Sequence, residues 1–106
     1  MRASLPLLLA AALCWAAACQ PRKEEPNLPD EKMARIMADL SMAEAATNGL
    51  AGYPKDSLMH HYFSQTFDLH GTTLEEYERN LRLYVQDPDR MTRLVHRSEE
   101  LLGAKQ

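Results

Sequence analysis

The chain has 106 residues, with 12 Lys and Arg set against 15 Asp and Glu, a formal charge of −3, and two cysteines. That length accommodates one small domain with a limited core. The acidic balance lacks the positive field that a phosphate backbone requires, so nucleic acid is excluded as a partner.

Arg2, an apolar run over residues 5–15, and Ala16, Ala17 and Ala18 just before Cys19 have the anatomy of an export signal. Small residues let a peptidase hold the chain extended, and a cysteine directly after them can take a diacylglycerol through a thioether. The block resembles a bacterial lipobox, departing from it at Ala16, where that pattern has Leu. Cys14 is the poorer acceptor because Leu13 precedes it. A helix over residues 5–18 would reach only about 21 Å against a hydrocarbon core of about 30 Å, too short to span comfortably. Residues 1–18 are therefore expected to be cleaved, leaving 88 residues tied to a membrane through acylated Cys19. Cleavage removes Arg2, which leaves 11 basic against 15 acidic residues, a net charge of −4, and a single cysteine with no partner for an internal disulfide.

Residues 19–28 carry Pro21, Pro26 and four charges, the composition of an extended, solvated tether. Within it Lys23, Glu24 and Glu25 resemble the short export signal of surface-directed Bacteroidetes lipoproteins; plain solvation explains the same charges. Pro29 suits a first helical position, with Asp30 and Glu31 complementing the positive helix start. Met33, Ile36, Met37, Leu40 and Ala43 then follow at helical spacing until Asn48 and Gly49. Residues 50–54, containing Gly52 and Pro54, read as a loop.

Asp56 or Ser57 can cap a second helix that runs to about His70 and stops at Gly71. Its apolar face, with Tyr62, Phe63 and Phe67, is expected to be the centre of the core. Thr73 and Glu76 form a capping-box pattern ahead of Leu74, Tyr77, Leu81 and Tyr84, a third helix ending before Asp87 and Pro88. Pro88 and Asp89 open a fourth, with Met91, Leu94, Val95, Ser98, Leu101 and Leu102 on one side up to Gly103; the junction can instead be a sharp kink. The expected fold is all-α, a small compact bundle of three to four short helices with antiparallel neighbours over residues 29–103 and a polar tail over 104–106.

Four stretches together resemble a family of short Bacteroidetes lipoproteins catalogued as domain of unknown function 4296. They are the lipobox at Cys19, PDEKMARIMADLSMAEA at 29–45, FDLHGTTLEEYERNLRLY at 67–84 and QDPDRMTRLVHRSEELL at 86–102. The resemblance implies an exported helical lipoprotein and supplies no catalytic or binding residues.

Chemistry-bearing patterns are sparse. His60 and His61 diverge by about 100° on a helix, and His61 and His70 by about 180°, while His96 with Glu99 offers two ligands at most. No metal site and no cofactor are expected, and His70 suits a helix C-terminus. There is no GxSxG, no phosphate loop, and no free cysteine once Cys19 is acylated, so an enzyme is not expected. Arg90, Arg93 and Arg97 share a helix face suited to an acidic partner, although such stripes commonly pair with neighbouring carboxylates. Met33 and Met37 can line an adaptable apolar groove or fill gaps in a small core. The reading is a lipid-anchored protein of the bacterial outer membrane, non-enzymatic, that binds an envelope protein through Arg90, Arg93, Arg97, Met33 and Met37. The alternatives are a small-ligand or metal binder and, third, a minimal hydrolase.

Overall fold

The computed structural model describes residues 23–104, in which four helices and no strand are found: α1 (Asp30–Ala45), α2 (Gly52–Leu69), α3 (Leu74–Val85) and α4 (Pro88–Ala104). The fold is all-α, as the spacing of apolar residues indicates. The expected cleavage site, the lipobox-like run and Cys19 lie outside the described residues. Among the described residues no helix is long and apolar enough to cross a membrane.

Each helix boundary has a local cause. Pro29 is the cap of α1 rather than its first residue, and Asp30 and Glu31 occupy the first turn, where carboxylates favour the helix dipole. Leu28 and Met33 belong to one core cluster at the spacing of a hydrophobic staple, which sets the angle at which the chain enters α1. α1 ends in turns closed by Gly49 at φ +92°, a conformation that costs a residue with Cβ.

α2 starts at Gly52, four residues before Asp56, so residues 52–54 are helix and not loop. Pro54 is tolerated there because first-turn N–H groups have no intrahelical partner to lose. At its other end the N–H of Thr72 bonds to the carbonyl of Phe67 at 3.0 Å and that of Gly71 to Asp68 at 3.1 Å, with Gly71 at φ +65°. This is a Schellman closure. Thr73 caps α3 by accepting from Glu76 N. The Asp87–Pro88 junction separates two helices: the Asp87 carboxylate accepts from Arg90 N at 3.2 Å, and Pro88 opens α4.

The centre of the core is α1, not α2. Met33, Ala34, Ile36 and Ala38 are fully buried, whereas α2 buries only Thr66 and Phe67. α1 packs chiefly on α4 and also on α2, while α3 packs on α4. Leu28, Tyr84 and Leu94 complete the cluster. α2 runs antiparallel to α1 but displaced along it: Asp39 meets His70, and Met42, Ala43 and Ala46 border a recess with Tyr62, Thr66 and Leu69. The first half of α2 therefore extends past the end of α1, which explains why the apolar face of this helix is incompletely covered. Its neighbour α3 touches it sparsely, chiefly where the rings of Phe67 and Tyr77 lie 5.5 Å apart.

Candidate functional site

The most highly organised polar feature is a clasp by which α3 and α4 grip the segment leading into α1. Asn80 is fully buried in α3. Its side-chain oxygen accepts from the backbone N–H groups of Asn27 at 2.8 Å and Leu28 at 2.9 Å. Its amide donates to the Asn27 side-chain oxygen at 2.7 Å and to the Glu76 carbonyl at 2.8 Å. Two donors and two acceptors are thus all used, the full capacity of an asparagine. Asn27 returns a bond from its own amide to Glu76 Oε1 at 3.0 Å.

One turn on, Tyr84 is fully buried, with its hydroxyl 2.8 Å from the Leu28 carbonyl and 2.7 Å from Asp30 Oδ1. The hydroxyl has one proton, so the two acceptors share it. Burial first, and then the Asp30 carboxylate, push the Tyr84 phenol up to about 12. Arg90 of α4 closes the far side, 2.8 Å from Asp30 Oδ1 and 4.7 Å from the Tyr84 ring centroid. The Arg90 hydrogen bond holds Asp30 below its usual carboxylate range.

This geometry revises the expected tether. Residues 24–28 are tied to the fold although Glu24 and Glu25 stay exposed to solvent: Glu24 pairs with Arg79 at 2.9 Å, Glu25 lies 3.8 Å from Arg90, and Leu28 is buried. Glu24 and Glu25, the acids of the export-like triplet, are thus engaged with α3 and α4. The folded unit begins near residue 24, not 29.

The arginine face is likewise engaged. Arg97 makes a two-pronged contact with Glu31 at 2.9 and 3.0 Å and a third with Glu100 at 3.0 Å. Those bonds lower Glu31 and raise Arg97. Arg93 is exposed and adds a favourable charge near Asp30. Arg90 and Arg97 therefore join α4 to the acidic start of α1, while Arg93 and the outer side of Arg97 face solvent. Met33 is entirely buried and Met37 is half-buried against the core, so these two methionines fill the interior and do not line a groove.

His70 caps α2 and places Nε2 2.7 Å from Asp39 Oδ2, tying α2 to α1. His96 pairs with Glu100 at 3.2 Å rather than with Glu99. Among the described residues no group of three or more His, Cys, Asp or Glu stands close enough to hold a metal ion.

One cleft stands apart from the clasp. Phe63 and Phe67 of α2 and Leu74 at the start of α3 wall a space of about 270 Å³, bordered by His60, Ser64, Asp68 and Thr72. It exists because the turn after Gly71 splays the two helices apart. Thr72 is 7% exposed, and its Oγ1 is the one buried side-chain polar atom among the described residues without a hydrogen-bond partner.

Asn80 was within reach of the sequence. It sits in the Tyr77, Leu81, Tyr84 stripe, where a poor helix former on an apolar face signals a buried polar role. The Thr72 hydroxyl had no such signal, since its isolation depends on how α2 and α3 diverge.

No curated protein and no solved structure matches the chain. A family model described as a domain of unknown function, DUF4296, matches residues 25–106. The match begins inside the clasped segment and not at the first helix, which agrees with a folded unit that includes it. The chain belongs to the DUF4296 family.

Proposed function

We propose that the protein is a lipid-anchored accessory module of the bacterial envelope, acylated at Cys19, held at the outer membrane and acting by binding an envelope protein rather than by catalysis. The observation that carries this reading is the run of Ala16, Ala17, Ala18 and Cys19 after an apolar stretch, joined five residues later to a segment gripped by α3. An acyl group at Cys19 leaves at most about 17 Å of chain between lipid and fold. The clasp then ties the anchor to the core through Asn80 and Tyr84, so the fold is held close to the bilayer. Exposed apolar side chains at the far end of the α1–α2 pair, Leu50 and Tyr53, together with Leu69, supply area for a partner.

Mild cross-linking in cells followed by affinity capture, comparing the native chain with Cys19→Ala, tests the reading. One envelope protein in near-equal amount, lost with Cys19→Ala, is the expected result. Capture of nothing by correctly lipidated protein refutes the partner, and capture unchanged by Cys19→Ala refutes the role of the anchor. The alternative, a small-ligand binder, is favoured by one feature, the cleft between α2 and α3.

A further inference from the structure

We propose that the cleft between α2 and α3 is a seat for an acyl chain of the protein's own lipidated Cys19, occupied when the anchor is out of the bilayer. The inference rests on the lipoprotein reading above and adds to it a binding site and its occupant.

Reach is the first argument. The clasped segment lies along α3 with Asn27 at Glu76 and Asn80, and Thr73, Glu76 and Asn80 form one stripe at three-and-four spacing. The stripe leads back to Thr73 at the mouth of the cleft. Glu24 is held at Arg79, five residues and about 7.5 Å along the helix from Leu74. Cys19, five residues before Glu24, has about 17 Å of chain at full extension, enough to bring a group on its sulfur to that mouth.

Chemistry is the second. Phe63, Phe67 and Leu74 offer apolar walls, and among the described residues Leu74 remains 47% exposed. Asp68 borders the cleft, and Glu75 and Glu76 stand in the first turn of α3, so a free carboxylate is repelled. A neutral ester or amide carbonyl is not. The unpartnered Thr72 hydroxyl and the Leu74 and Glu75 N–H groups, which have no intrahelical acceptor, are donors suited to such a carbonyl. Apolar walls with a few neutral donors fit an ester- or amide-linked acyl chain, the group a lipobox cysteine acquires.

The test feeds cells a fatty acid bearing a diazirine, isolates the mature protein, removes detergent and irradiates it. Cross-linked peptides should come from α2 and the start of α3, around Phe63, Phe67 and Leu74. Ser64→Trp, at an exposed border position, should fill the cleft without entering the core and cut those cross-links by about tenfold, since excluding two methylenes suffices for that. Thr72→Val should lower them by about threefold and Thr72→Ser should restore them. Incorporation of the label with cross-links elsewhere, or cross-links that Ser64→Trp leaves unchanged, overturns the proposal alone. Failure of the chain to incorporate the label overturns the lipoprotein reading and the seat with it.

Discussion

Replacing Asn80 with Leu isolates the clasp, because leucine keeps the same branched skeleton of side-chain heavy atoms while removing every hydrogen bond the side chain makes. Asn80 is fully buried and holds the N–H groups of Asn27 and Leu28 at 2.8 and 2.9 Å. The Asn27 side chain, being exposed, can turn to water. The buried Leu28 N–H cannot, and stranding it costs about 1–3 kcal/mol, with about 1 kcal/mol more for the part-buried Asn27 N–H. Extra apolar burial by leucine offsets about 1–2 kcal/mol. The net loss is about 2 kcal/mol, a large share of the roughly 4–12 kcal/mol that a fold of this size has in total. In urea, with a slope near 1 kcal/mol/M, the midpoint should fall by about 2 M. Hydrogen exchange should show the Leu28 amide losing protection while amides in the middle of α1 keep theirs. A midpoint shift below about 0.5 M, or a Leu28 amide still protected, would refute the clasp.

Tyr84→Phe should cost about 1–2 kcal/mol by stranding the buried Leu28 carbonyl, and combined with Asn80→Leu it should be less than additive because both act on one segment. The Tyr84 phenol is raised to about 12, so its contribution is fully present below the unfolded value near 10 and is lost as pH rises through about 12. Base denaturation followed by phenolate absorbance should therefore lose one high-pH step in Tyr84→Phe. Asp30 and Glu31 are held low by Arg90 and Arg97, so their contribution is present above the ordinary carboxylate range near 4 and is lost as pH falls below it. Thermal melts across that window should show a shallower acid dependence for Asp30→Asn, and 1 M salt should weaken the wild-type dependence. Ile36→Ala, at a fully buried site, should cost about 2–4 kcal/mol in a denaturant melt, whereas Leu69→Ala, 85% exposed, should stay within about 0.5 kcal/mol; the reverse order would return the core to α2. Gly71→Ala should cost about 1 kcal/mol or more by the same assay, because φ +65° strains a residue with Cβ.

Helix number, order and most boundaries were legible because caps and apolar spacing act locally. Thr73 beside Glu76, Asp87 before Pro88, and Gly71 after His70 each do in the structure what their residue types require. Gly52 and Pro54 misled because both residues are common in loops and also permitted in a first helical turn. The placement of the core was not legible. Aromatic content pointed to α2, but burial depends on how fully a helix is covered by its neighbours, and α1, built largely from Met, Ala and Ile, is covered most, lying against both α4 and α2. The candidate site divided in the same way. The arginine stripe was visible, yet its partners, Asp30 and Glu31, stand some 60 residues away in sequence, and only the packing of α4 on α1 turns a docking face into an internal tie. The clasp needed Asn27 and Asn80 to be brought together across 53 residues, a pairing that no local pattern encodes.

The intact mass of the protein isolated from its native membrane tests the central claim most directly. The account predicts a chain that begins at Cys19 and carries the added mass of a diacylglyceryl group with or without a further acyl chain, the excess falling on the N-terminal peptide. A chain that begins elsewhere, or a Cys19 that carries no lipid, would contradict it.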